Sequence, residues 1–409
     1  MSERNLTPGI LPPGILPSRI FMMDMLATVP YYTAYLTKAL RAAGANVTLG
    51  SITYDLDPEC FSSRGLKVEP GLLDVVGRRR LPRLPRRALK LLETALNLTA
   101  LTARFAISPP EIVHVQYLPM LRWRLPLDLR FVEFCRRRGS KIVLTVHDLL
   151  PHDSGEAYRR TFARLYRKVD GIVCHSEPIR GRLREEFGIS GEKIFVIPHG
   201  PFFHDLPPAG CAPELPGPQA ADAGPLLVLW QGILFPYKGV DLLLNAWQRG
   251  EASGVNASLT IAGTGAPELL EQVREQVRRL GLRRVELRFR FLAAQELVAL
   301  YRAADIVVYP YRAITTSGAL ATGLALGKTI VASDLPVFRE LLTHGETAVL
   351  VDPQNSAELA GALLDLANDA GKRQQLAAGV RAMNFGDQSW ISIAGRTMEV
   401  YRTVLERPA

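Results

Sequence analysis

Leu226-Leu227-Val228-Leu229-Trp230-Gln231-Gly232-Ile233-Leu234-Phe235-Pro236-Tyr237-Lys238-Gly239-Val240-Asp241 reads as a strand, a turn and the start of a helix. Leu226 to Trp230 is apolar without alternation, the pattern of a strand covered on both faces. Leu242 to Trp247 continues as a good helix-forming run. Lys238 therefore falls in the turn after a parallel strand, at the carboxyl edge of the sheet, where open α/β sheets bind ligands. An ammonium there can neutralise a phosphate; a solvated loop lysine is the plainer alternative.

A second strand and turn lie further along. Ala304 to Tyr309 is an apolar run, Pro310 to Ser317 a polar turn, and Gly318 to Leu326 a helix of small residues closed by Gly327. Thr316 or Ser317 suits the N-cap, and the free N–H groups beside it make an anion site at the positive end of the helix dipole. Lys328 to Ser333 is another buried strand, ending in polar residues at Asp334.

These segments, in this order, resemble the carboxyl-terminal domain of retaining GT-B glycosyltransferases of the family-4 type, the branch with a T-x-S-G-like turn. Pro110 to Tyr117, Ile142 to Asp148 and Val196 to Gly200 resemble its amino-domain strands and the end of that domain. The resemblance implies an α/β fold of two Rossmann-like domains facing a central cleft. It implies a flexible tail over 1–18, an acceptor-side domain over 19–205 and a linker over 206–224. A nucleotide-sugar-binding domain over 225–385 and a helix over 386–409 crossing back to the amino domain would complete the chain.

It further implies transfer of a sugar from a nucleotide-diphosphate sugar to a glycan or lipid-linked acceptor, with no obligatory metal or other cofactor. Gly232, Lys238, Thr316, Ser317 and Gly318 would hold the donor diphosphate. His147, after a long apolar strand, would stand nearest the reaction with Lys238, and His152 and Asp153 are minor candidates. Many members pair the lysine with an arginine, where this chain has Ile233-Leu234-Phe235. Their two glutamates align with Ile314 and Thr322, leaving Thr315 and Thr322 as the hydroxyls near the donor sugar and ribose. No protein nucleophile is evident. The expected route is attack by the acceptor hydroxyl on the face from which the nucleotide leaves, the diphosphate oxygen taking its proton.

Composition fits such a two-domain chain. At 409 residues it exceeds one ordinary core, and 47% hydrophobic content is that of a folded protein. Cys60, Cys135, Cys174 and Cys211 form no C-x-x-C pair, so a reducing cytosol is the simplest home. Met1 to Ser18 lacks the pattern of a signal peptide, and no uncharged apolar run reaches membrane-spanning length. Charge is lopsided: residues 1–200 carry 30 Lys+Arg against 19 Asp+Glu, a net of +11 within a total of +9. Arg78, Arg79, Arg80, Arg83, Arg86, Arg87 and Lys90 form the densest cluster, on a helix expected to run to about Phe105. Its apolar stripe would be Leu84, Ala88, Leu91, Ala95 and Leu98, and the cations could meet an anionic membrane surface, or simply be solvated. Without interleaved aromatics or a helix-turn-helix, nucleic acid is not an expected partner.

Other classes leave weaker traces. Ile261-Ala262-Gly263-Thr264-Gly265 hints at a dinucleotide fingerprint but has Glu268 where the third glycine belongs. Asp55-Leu56-Asp57 could suggest a metal-dependent transferase, though a polar loop is the plainer reading. A nucleotide-sugar epimerase on the same fold, or a relative that binds without turnover, would share most of the motifs.

Overall fold

The computed structural model describes residues 17–79, 83–122, 125–150, 155–203 and 225–407. Residues 1–16, the expected linker at 206–224, His152 and Asp153 lie outside these. The chain divides into two compact units. One comprises Met1–Cys174, Arg180–Pro198 and Trp390–Ala409; the other His175–Ile179 and His199–Ser389.

The first unit is built on strands β1 (Ile20–Asp24), β2 (Val47–Ser51), β3 (Ile112–Val115), β4 (Lys141–Thr145), β5 (Gly171–Cys174) and β6 (Ile194–Val196). The second uses β7 (Leu226–Leu234), β8 (Ala257–Gly265), β9 (Val285–Phe289), β10 (Ile306–Tyr309), β11 (Thr329–Ser333) and β12 (Val349–Val351). Every strand pair is parallel, in the orders β2-β1-β3-β4-β5-β6 and β12-β11-β10-β7-β8-β9. Strand order reverses between β1 and β3 in one sheet and between β7 and β10 in the other. Such switch points open a crevice at the carboxyl ends of the strands.

In the first unit the Pro30–Ala42 helix buries Tyr32, Leu36 and Leu40, four residues apart. The Trp390–Glu406 helix belongs to the same unit and buries Ile393, Met398, Tyr401 and Val404. Trp390 stacks on Tyr35 at 5.3 Å between ring centroids. Between β1 and the Pro30–Ala42 helix the chain turns through Ala27 at φ +47°, a left-handed position costly for a residue with a Cβ. Asp24, fully buried at the end of β1, accepts hydrogen bonds from Thr28 N (2.8 Å), Val29 N (3.0 Å) and Thr33 Oγ1 (3.2 Å). Burial nonetheless raises its pKa to about 6.

The long helix runs from Arg83 to Ile107, and its buried face departs from the expected stripe. Glu93, Thr94, Asn97, Leu98, Leu101 and Phe105 are buried, while Ala88 is exposed and Leu91 and Ala95 only half-buried. The reason is polar: Glu93 Oε2 accepts from Val75 N and Val76 N, and Asn97 Oδ1 from Leu72 N and Leu73 N. Two side chains that read as surface residues thus satisfy a loop backbone, which is costly to leave unpaired once buried.

The core of the second unit includes Val228, Trp230, Leu259, Ile261 and Val308 from the sheet, with Val240, Leu243, Leu244 and Trp247 from the Val240–Ala252 helix. Those helix positions follow the i, i+3, i+4, i+7 spacing of a single buried face. Gly263 and Gly265 lie within β8, paired with Gly232 and Leu234 of β7. A Cβ on Gly263 would stand 1.8 Å from Gly232 O. These glycines serve close strand approach, so the dinucleotide reading of 261–265 lacks its phosphate turn.

Candidate functional site

Lys238 and the turn before the Gly318–Ala325 helix emerge at the β7/β10 switch point of the second unit. Pro236–Lys238 forms a single 3-10 turn closed by Gly239 at φ +65°. Only glycine fits there, since a Cβ would lie 1.8 Å from Pro310 O in the β10 loop. The turn folds the lysine back over its own strand: Lys238 Nζ stands 3.0 Å from where a Cβ on Gly232 would be. A side chain at 232 would displace the amine. On its other side the ammonium lies 5.2 Å from the ring centroid of buried Tyr311, within cation–π range. The Tyr311 hydroxyl has no hydrogen-bond partner among the described residues.

The Gly318–Ala325 helix is capped by Ser317, whose Oγ accepts from Leu320 N at 3.1 Å. Ser317 O takes Ala321 N, which leaves the N–H groups of Gly318 and Ala319 as first-turn donors. Gly327 follows at φ +63° and ends the helix. Two buried tyrosines set its height above the sheet. Tyr309 Oη donates to Ala319 O (2.8 Å), and Tyr301 Oη reaches both Ala319 O (3.2 Å) and Gln231 Oε1 on β7 (3.1 Å). Burial raises both phenol pKa values well above the usual range, so they stay donors.

Gly318 packs against an aromatic wall from the start of the unit. A Cβ there would lie 2.6 Å from Phe202 Cε2 and 3.1 Å from His199 Cε1. His199 Nδ1 donates to Gly200 O at 2.7 Å. Burial, with His175 beside it, holds its pKa down at about 3, so the ring is neutral at physiological pH. Thr322, expected near the donor sugar or ribose, is buried, its hydroxyl bonded to Gly318 O (2.8 Å) and near Phe202 N (3.3 Å). That hydroxyl ties the wall to the helix. Thr315 is likewise buried, and Thr316 is half-buried.

The structure thus brings together Gly232, Lys238 and Tyr311, sets the Thr315–Gly318 turn against Phe202 and His199, and adds Arg312 and Asp241, which the sequence offered no reason to single out. His147 belongs to the first unit, two residues past β4. Its Nε2 lies 3.1 Å from Gln116 Oε1 and its ring meets Tyr32 edge-on at 4.7 Å. Asp57 accepts from Tyr31 Oη, and Asp55 pairs with Arg86, so neither carboxylate is poised for a metal. Among the described residues no cluster of His, Cys, Asp and Glu could hold one.

Residues 225–369 match the family Glycosyl transferases group 1, and residues 29–200 match Glycosyltransferase Family 4. A D-inositol 3-phosphate glycosyltransferase of Pseudarthrobacter chlorophenolicus is 27% identical over 283 residues, 66% of each chain. A phosphatidyl-myo-inositol mannosyltransferase of Mycobacterium leprae is 36% identical over 246 residues, 58% of this chain and 60% of that protein. The chain therefore spans about 60–66% of the length of these curated relatives. Anabaena HepE in complex with UDP-glucose shares the fold with a TM-score of 0.71 at 18% identity, over 93% of this chain and 98% of that one. A sucrose-phosphate synthase from Thermosynechococcus elongatus does so at 0.70 and 19%, over 94% and 98%. With both halves matched and the paired parallel sheets in common, the chain belongs to the GT-B glycosyltransferases of the family-4 type.

Proposed function

We propose that this chain transfers a sugar from a nucleotide-diphosphate sugar to a glycan or lipid-linked acceptor, with retention of configuration. The observation that carries this is the ammonium of Lys238, held over Gly232 at the topological switch point between β7 and β10, the strand whose following loop leads into the Gly318–Ala325 helix. A cation and a helix N-terminus together suit a diphosphate whose charge grows as the sugar departs. The names of the relatives and neighbours, with inositol-phosphate and phosphatidylinositol acceptors and bound UDP-glucose, support the same class.

In this reading the acceptor oxygen bonds to the anomeric carbon as its bond to the diphosphate breaks, on one face. The acceptor proton passes to the departing phosphate oxygen. The protein's own part is positioning and charge stabilisation. His147 is the proposed contribution of the first unit. The test is incubation with UDP-, GDP- and ADP-sugars and candidate acceptors, with proton NMR of the product anomer. A product of inverted configuration overturns retention; epimerised donor, or binding without product, overturns transfer.

For location, we propose docking on an anionic membrane surface through fewer cations than the cluster of seven. Arg78 is paired with Asp74 and Arg86 with Asp55, and burial, then the nearby Arg86, lowers the pKa of Lys90. Arg79 and Arg87 are exposed, while Arg80 and the Arg83 side chain lie outside the described residues. Leu72 (63% exposed), Leu92 (57%) and Leu96 (39%) add apolar surface on the loop and helix beside them. No helix among the described residues is long and apolar enough to cross a membrane.

The protein is expected to co-sediment with phosphatidylserine-containing but not pure phosphatidylcholine vesicles, and to release as salt rises. Arg79→Gln with Arg87→Gln is expected to weaken sedimentation, each cation contributing about 1 kcal/mol. Equal partitioning of variant and parent makes these arginines a solvated face.

A further inference from the structure

Arg312 stands three residues beyond β10, between Tyr311 and the turn at Thr315–Gly318. Its backbone N–H donates to Tyr237 O at 2.7 Å. Its guanidinium donates to Pro236 O (2.8 Å) and, as a fork, to Asp241 Oδ1 (2.8 Å) and Oδ2 (2.7 Å). These partners bracket Lys238 on both sides in the chain, and Gly239 lies against Pro310 between them. The loop after β10 is therefore latched to the turn after β7 at four points. A surface ion pair of this kind adds little to general stability, so such a set of contacts bears on geometry more than on folding.

We propose that Arg312 is a positioning residue for Lys238, fixing the amine relative to the N-terminus of the Gly318–Ala325 helix so that both meet one diphosphate. This rests on the donor-site reading above. The rigid planar fork of arginine can span a carboxylate and a backbone carbonyl together, which a flexible lysine ammonium cannot reproduce. Because the guanidinium is committed to Asp241 and Pro236, its effect on the donor passes through Lys238. Tyr311, the preceding residue, supplies the ring that the ammonium faces.

The test is calorimetric titration of UDP into the full chain and its variants. Arg312→Ala is expected to weaken binding about 5-fold in the parent but less than about 2-fold in a Lys238→Ala background, the non-additivity of residues acting as one unit. Arg312→Lys is expected to resemble Arg312→Ala, and Asp241→Asn to weaken binding about 3-fold. Both are conservative surface changes and should leave the melting temperature near the parent's. Equal losses in the two backgrounds, or no loss at all, overturn the proposal. So does parental affinity in Arg312→Lys or tighter binding in Asp241→Asn, since either means that the guanidinium meets the diphosphate directly. If Lys238→Ala itself binds UDP like the parent, the donor-site reading fails, and that result is separate from anything seen at position 312.

Discussion

Lys238→Ala is expected to weaken UDP binding by about 10- to 100-fold while the fold persists. A hydrogen bond from an ammonium to a phosphate is worth about 1.5–3 kcal/mol, and each 1.4 kcal/mol is tenfold in affinity. The side chain is half-buried and covers Gly232 and Tyr311 rather than filling the core, so its removal opens no large cavity. Calorimetry with UDP and GDP, alongside a melting curve, separates lost binding from lost structure. Parental affinity in a folded variant would remove the main support for this site.

Gly318→Val is expected to abolish transfer, with at least a 100-fold fall in turnover. Two added methyl groups cannot enter a space where even a Cβ would stand 2.6 Å from the Phe202 ring. Either the wall of His199 and Phe202 or the first turn of the helix must shift, and misplacement by about 1 Å can cost 100-fold in rate. Ser317→Ala, by contrast, removes one cap hydrogen bond, worth about 1 kcal/mol, and should lower turnover by no more than about 5-fold. Both variants are read by initial rates at saturating nucleotide sugar. Normal turnover in Gly318→Val would mean that the turn is not where the donor binds.

Much of the fold was legible because parallel strands buried on both faces are written mostly in apolar residues. Val228 to Trp230, Ile306 to Val308 and Ile330 to Ala332, apolar and buried throughout, show this directly. The site was legible in part for the same reason, since a lysine just past such a strand, as Lys238 is, must lie at the sheet edge. What escaped was whatever depended on contacts distant in sequence. Glu93 and Asn97 carry no sign that they are buried, because the loop they satisfy lies 17 to 25 residues away. Arg312 was not singled out in the sequence, its side-chain partners being more than 70 residues distant. Thr322 was expected in the vicinity of the donor sugar and ribose, and its hydroxyl bonds Gly318 O and Phe202 N, a role as a strut that its position in the sequence did not announce.

The hydrogen bonds of Asp24 give the two sheets different futures. Each has a switch point, and so each inherits the same invitation to an anion. At the β1/β3 crevice the invitation has already been accepted: a resident carboxylate takes the N–H groups of Thr28 and Val29. The chain supplies its own counter-anion there, and a phosphate arriving would have to displace a covalently attached rival. At the β7/β10 crevice the side chain that folds back over the strand is a cation, Lys238, lying over Gly232 and facing Tyr311. If the donor binds at the second crevice, nucleotide is expected to saturate the chain at a single equivalent, although the architecture is built twice over.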